Sequence, residues 1–431
     1  MDRRIFRLAL PNIITNITVP LLGMIDIAIA GRLGSAVYIG AIALGASIFN
    51  MIYWNFGFLR MSSSGFASQA YGARDLTEVM NVLARSLAIG LGSGLLIVLL
   101  QYPIGELAFN LVQSGPESIQ HVKTYFRIVV WGAPAVLGMY AFQGWFIGMQ
   151  NARIPMVIAI LNNVLNIMLS LSFVYGFGMK INGIALGTVL SQTTSLLVAA
   201  GFWWKYYRRL LKYVRKETTW NKPVMQRFFK VNGDIFVRTF LLTLVSSFFT
   251  FASSGMGDTI LAVNALLMQF FMLFSYFMDG FAYAGEALTG RFVGAKNKEY
   301  LQWMIRRGFF WGVVVSLAAV VIYSLFPSQI LRIMTNDVLI IERAKDFMFW
   351  TVLIPVVGFA AFLWDGIFIG ATASRQMRNA MVYSSGIFFA CYFVFTPFWG
   401  NNGLWLSFIL YLLVRGLMQT VWAKKALRIK A

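Results

Sequence analysis

An all-α polytopic membrane protein of twelve spanning helices, arranged as two matching six-helix halves around a central cavity, is the architecture this sequence predicts. Three observations carry that reading. Of 431 residues, 59% are hydrophobic and 12% charged, whereas water-soluble chains hold about 25% charged residues. The apolar residues fall into runs of about 20, the length needed to cross a hydrocarbon core. The cations gather in alternate connections, the distribution that orients membrane proteins with positive loops inside.

Helix 1 spans about residues 8–30 and carries one ionisable group, Asp26, among apolar neighbours. A carboxylate at the centre of such a helix costs about 3 kcal/mol, so it belongs in a bundle interior or a wet cavity and marks function. Pro20, six residues earlier, leaves the carbonyl of Asn16 without its helical donor, and a bend is expected there. The basic start, Met1-Asp-Arg-Arg-Ile-Phe-Arg7, runs into this helix with no small-residue cleavage site, as in a retained span. Further spans are predicted near 36–59, 80–101, 123–147, 155–177 and 181–204. A second set follows near 226–252, 259–283, 302–325, 346–370, 378–398 and 402–423.

Residues 1–204 therefore form a first lobe and 226–431, with a short basic tail, a second. Between them, 205–225 is a basic cytoplasmic linker with affinity for an anionic leaflet. Arg74, Arg85, Arg153, Arg375, Arg378 and the Lys424–Lys430 tail fall on the linker's side. The opposite loops, such as 102–122 and 326–344, include Glu106, Glu117, Asp337 and Glu342. Twelve spans with both termini in the cytoplasm of a plasma membrane fit this pattern, and the lipid bilayer is the first partner. The net charge of +20 is thereby explained without nucleic acid.

The halves repeat in order. Gly34 and Gly57 have the spacing of Gly257 and Gly280. Gly144-Trp-Phe-Ile-Gly148 with Arg153 matches Gly366-Ile-Phe-Ile-Gly370 with Arg375, at an offset of 222. Asn182-Gly183 returns as Asn402-Gly403. Six helices separate the matches, so the lobes share one topology. Gly-x-x-x-Gly pairs read first as close helix packing. The symmetry breaks at Asp26, whose counterpart is Phe249, and this favours a dedicated cation site in the first lobe.

Chemistry is bounded by what the chain lacks. One cysteine, Cys391, and one histidine, His121, exclude disulfides, thiolate zinc sites and histidine relays. No phosphate-binding Walker loop, His-Glu-x-x-His or Gly-x-Ser-x-Gly occurs, which leaves ATP-driven transport and hydrolysis without support. No enzyme and no bound cofactor is expected.

The run Pro20-Leu-Leu-Gly-Met-Ile-Asp26-Ile-Ala-Ile-Ala-Gly-Arg-Leu-Gly34 resembles the first helix of multidrug and toxic compound extrusion (MATE) transporters, the DinF-like branch above all. Met278-Asp-Gly-Phe-Ala-Tyr-Ala-Gly-Glu-Ala-Leu288 and Trp364-Asp-Gly-Ile-Phe-Ile-Gly-Ala-Thr-Ala-Ser-Arg-Gln-Met-Arg-Asn379 are similar to later family segments. The resemblance implies a two-lobed antiporter. It would export amphipathic, often cationic small molecules in exchange for protons or sodium ions, with Asp26 as the acceptor. The family places an acid four residues after Asn166, where this chain has Ser170. A hard cation prefers carboxylate oxygens, so protons are the expected coupling ion and sodium the alternative.

Asp26, Asn162, Asn163, Asn166, Ser170 and Thr188 are expected to form one polar pocket, Asn162 and Asn166 standing a turn apart on one helix face. Interhelical hydrogen bonding is the plainer reading of the neutral members. In the second half, Gln269, Asp279, Glu286 and Asp365 are candidates for the substrate cavity or a second cation site. Asp234 and Arg238, four apart, are expected to pair with each other. The 21 Met and 39 Phe suit a multispecific pocket. The protein is expected to act as a monomer. A flippase of lipid-linked precursors is the rival function and would need free arginines for a diphosphate.

Overall fold

The computed structural model describes residues 1–31, 36–111 and 116–427. All twelve expected spans are helical: α1 (Asp2–Gly31), α2 (Val37–Gly72), α3 (Leu76–Leu99), α4 (Ser118–Gly148), α5 (Arg153–Gly176) and α6 (Lys180–Tyr213), then α7 (Lys222–Ser254), α8 (Asp258–Gly294), α9 (Lys298–Leu325), α10 (Met348–Gly370), α11 (Ser374–Trp399) and α12 (Asn401–Ala426). No strand occurs among the described residues. That follows from the solvent: hydrocarbon offers backbone amides no partners, so each spanning segment must satisfy its own. Gly34, the partner of Gly257 in the repeat, lies outside the described residues, as does the tail from residue 428.

Two of the expected loops contain short helices. Gln101–Leu111 follows α3, and Pro327–Met334 and Val338–Lys345 follow α9. Asp337 caps the last of these, accepting from the backbone amides of Leu339 (2.9 Å) and Ile340 (3.2 Å). At eight to eleven residues they are too short to span. Arg85 lies in the third span, as expected. It is buried in α3, paired with Glu78 at 2.7 Å.

The chain forms two compact units, Ile14–Phe228 and Phe229–Ala431 with Met1–Ile13. The basic linker thus lies inside the first unit, and the first turns of α1 inside the second. There the carboxylate of Asp2 takes the Arg307 guanidinium at Nε (2.7 Å) and Nη2, together with the Trp311 indole N–H at 3.0 Å. Phe6 stands edge-on to Trp311, 4.6 Å away.

The sequence repeat is also a repeat of packing. A Cβ on Gly144 would run into the carbonyl oxygen of Arg60, and one on Gly366 into that of Ala282. Gly148 is held against Ser64, and Gly370 against Glu286. Gly183 lies on Phe173, as Gly403 does on Phe395. In the two Gly-x-x-x-Gly pairs, glycines and partners are displaced by the same 222 positions. Small residues let two backbones touch, which replaces the hydrophobic drive that lipid cannot supply. Gly366→Ala is expected to force α8 and α10 apart at a cost of about 1–3 kcal/mol. A lowered melting temperature of the purified protein in detergent checks this, with Gly386→Ala, where the added Cβ meets nothing, as the control.

Candidate functional site

Helix α1 turns Asp26 inward. The residue is 8% exposed, whereas Met24 is 65% and Ile27 40% exposed. The difference is the 100° step between residues of a helix. One carboxyl oxygen, Oδ1, is buried with no hydrogen-bond partner among the described residues. The helix runs unbroken through Pro11 and Pro20 to Gly31.

A polar cluster from α4, α5 and α6 stands in the same unit. Asn166 donates from Nδ2 to Thr188 Oγ1 at 3.1 Å, and Thr188 donates to the Ile184 carbonyl at 3.0 Å. Tyr125 hydrogen-bonds Thr188 and lies within electrostatic reach of Asp26. Ser170, one turn beyond Asn166, is buried against Gly187, where a side chain would collide with its hydroxyl. Asn166 Oδ1 and Ser170 Oγ have, like Asp26 Oδ1, no partner among the described residues. Three buried oxygens without protein partners are costly unless water, a proton or another cation reaches them.

Two other polar residues of α5 form hydrogen bonds to neighbouring helices. Asn162 accepts from Ser195 at 3.1 Å. Asn163 donates to the carbonyl of Thr18 at 2.9 Å, which ties α5 to α1 two residues before Pro20. Tyr125 was not among the sequence candidates. It stands in a mixed stretch, Lys123-Thr-Tyr-Phe-Arg127, whose polar residues read along the chain as the end of a solvated loop. Tyr53, in the same unit, lies within electrostatic reach of Tyr140 and of Tyr125.

In the second unit the expected pairing of Asp234 with Arg238 does not occur. Asp234 accepts from Arg378 (2.6 Å) and Ser374 (2.8 Å). Arg238 turns to Asp365, whose carboxylate also receives Arg415 and Gln419. All four are buried. Spacing in sequence makes Asp234 a neighbour of Arg238, but the helix faces direct them to different partners. Asp365 is already neutralised by two guanidinium groups and is no open cation acceptor in this structure. Of the other candidates there, Gln269 is exposed and Asp279 half-buried within electrostatic reach of Arg415. Glu286 is fully buried. No group of three or more His, Cys, Asp or Glu among the described residues is placed to hold a metal.

Comparison with known proteins agrees with this architecture. The MatE family model matches residues 11–171 and 235–399, one stretch in each half. DNA damage-inducible protein F of Escherichia coli is 36% identical over 98% of this chain and 92% of its own length. The probable multidrug resistance protein NorM of Thermotoga maritima is 24% identical, covering 80% of this chain and 74% of that protein. Among solved structures, a MATE protein in a bent conformation superposes with a TM-score of 0.86 at 21% identity, over 99% of this chain and 95% of that one. An outward-facing multidrug resistance MATE transporter gives 0.83 at 22%, over 98% and 95%. With twelve apolar spans, a repeated six-helix unit and a family match in both halves, the chain belongs to the MatE family of multi-pass membrane transporters, the multidrug efflux proteins.

Proposed function

We propose that this protein is a proton-coupled antiporter, exporting amphipathic, often cationic compounds across the plasma membrane as a monomer with both termini in the cytoplasm. Asp26 is the proton acceptor. The observation that carries the reading is the buried Asp26 carboxyl, with an oxygen that no described residue satisfies, beside the Tyr125–Thr188–Asn166 cluster. A carboxyl in such a place gains most from a proton when it opens to the acidic side.

The cycle follows from that gain. Open to the outside, Asp26 takes a proton and becomes neutral. The neutral form lets α1 bend at Pro20 and narrow the space in the first unit, so substrate leaves. Opening inward returns the proton to the cytoplasm. Each proton entering down 100 mV contributes about 2.3 kcal/mol.

Sodium is the rival driver, because the same three oxygens suit a hard cation. Ser170 in place of an acid leaves one carboxylate there and weighs toward protons. The flippase reading loses its best anion receptors, since Arg238 and Arg415 are bonded to Asp365. Dye efflux from vesicles under separate proton and sodium gradients tests the proposal. Ethidium-class cations should move on a proton gradient alone; movement on a sodium gradient alone overturns proton coupling.

A further inference from the structure

The basic stretch that closes α6 and runs on to α7 is built onto the first unit at two points. Tyr207 accepts from Asn151 at 3.3 Å and stands edge-on to Trp145, 4.9 Å between ring centres. Twelve residues on, the Thr219 carbonyl accepts from Arg85 Nε at 2.9 Å, and its hydroxyl donates to Asn81 Oδ1 at 2.7 Å. Thr218 accepts from the same Asn81 at 2.9 Å. Arg85 and Asn81 are each 1% exposed, so this end is held from the interior of α3. A flexible tether between lobes needs no such anchorage.

Between the anchors, Arg208–Tyr213 forms a 3-10 turn. With three residues per turn, positions three apart stand in one row. Arg209 and Lys212 form one row, Arg208 and Leu211 a second, and the more buried Leu210 and Tyr213 a third. Arg208, Arg209, Lys212 and the following Arg215 are all exposed, and none forms an ion pair among the described residues. Leu211 and Val214 expose apolar side chains beside them, and Trp204, Tyr206 and Trp220 flank the segment, exposed as well.

Cations in a row, apolar tips between them and aromatic rings at the flanks are the features of an element that lies in a lipid interface. We infer that residues 204–220 form an ordered binding surface for anionic phospholipid headgroups, and that their occupancy raises the rate of transport. Guanidinium groups match phosphate oxygens in geometry as well as charge. Because the surface is pinned through Arg85 and Asn81 to α3, bound lipid would restrain the first unit itself. The inference uses the cytoplasmic placement of this segment proposed above, but its binding test does not depend on which ion drives export.

The test compares the full chain in vesicles of phosphatidylcholine alone with vesicles containing phosphatidylglycerol. Two readouts are taken: phosphatidylglycerol retained per chain after delipidation, and the rate of dye efflux. A basic side chain near an anionic surface is worth roughly fivefold in binding. The quadruple variant R208Q/R209Q/K212Q/R215Q is therefore expected to lose retention by about tenfold or more, and to lose the rise in efflux that the wild type shows with phosphatidylglycerol. Its rate in phosphatidylcholine should match the wild type, which shows that it folds. A second variant, R209L/L210R, keeps the net charge but breaks the row. It should lose most of the retention too. Full retention in the second variant overturns the ordered surface in favour of net charge alone. An unchanged lipid response in the first overturns the proposal, as does inorganic phosphate binding with no selectivity for the lipid.

Discussion

Asp26→Asn is expected to lower proton-driven efflux to background, a loss of at least about a hundredfold, while the protein folds and inserts as well as the wild type. The change removes the one carboxyl of the first-unit cluster but keeps its shape and one oxygen. Since an uncharged amide is cheaper in this setting than a carboxylate, no stability should be lost. What disappears is the ability to gain and release a proton. The remaining downhill movement of dye should therefore be independent of pH, and efflux against a gradient should stop. Counterflow of labelled against unlabelled dye measures the residual exchange. Retention of pH-driven export by this variant would remove Asp26 from its proposed role. Tyr125→Phe is the milder companion. It deletes the hydroxyl bonded to Thr188 beside Asp26, so it should shift the pH at which efflux is half-maximal and leave the maximal rate within a few-fold. The pH profile checks this.

Asp365→Ala is expected to be the most damaging single change to stability. It leaves Arg238 and Arg415 buried, without the carboxylate that both share. An uncompensated buried charge of this kind costs about 3–5 kcal/mol, which is a large share of the stability of any fold. The purified yield should fall sharply, and the remainder should elute as aggregate on size exclusion. Replacing the whole network tests the cause. With Arg238→Met, Arg415→Met and Asp365→Leu together, no guanidinium is left without its carboxylate, and hydrophobic replacements of similar volume are often neutral or stabilising. The triple variant should therefore recover a monodisperse peak. If the single variant is as stable as the wild type, then the network is not holding the second unit together. If the triple variant recovers folding yet loses export, the arginines act on substrate as well as on Asp365.

Some pairings in this molecule could not be read along the chain. Asp234 stands four residues from Arg238, a spacing that brings helical side chains within reach, and it pairs with Arg378 instead. Arg238 is one of three residues closing on Asp365 from α7 and α12. Which partner wins depends on how α7 is rotated against α10, α11 and α12, and helix rotation leaves no trace in local spacing. Tyr125 escaped for a related reason. Its side chain is mostly apolar area, and only the position of Thr188 makes its hydroxyl part of the cluster. The assignment of Met1–Ile13 to the second unit follows from contacts with Arg307, Trp311 and Phe281, all about 270 or more residues away in the chain.

The sequence alone is enough for the class, the number of spans, the internal repeat and the family, though not for where α2 and α8 end, at Gly72 and Gly294. These rest on hydropathy, charge and glycine spacing, and each is a one-dimensional quantity that the bilayer reads directly. It also singled out Asp26, because the penalty for a carboxyl in hydrocarbon holds whatever surrounds it. Which charges are matched, which oxygens remain without protein donors, and the fastening of the basic linker to α3 come from the packing of the helices. Those depend on how each helix is turned and on residues far apart meeting in space, and the free energy of a buried polar group is set by the partner it meets there.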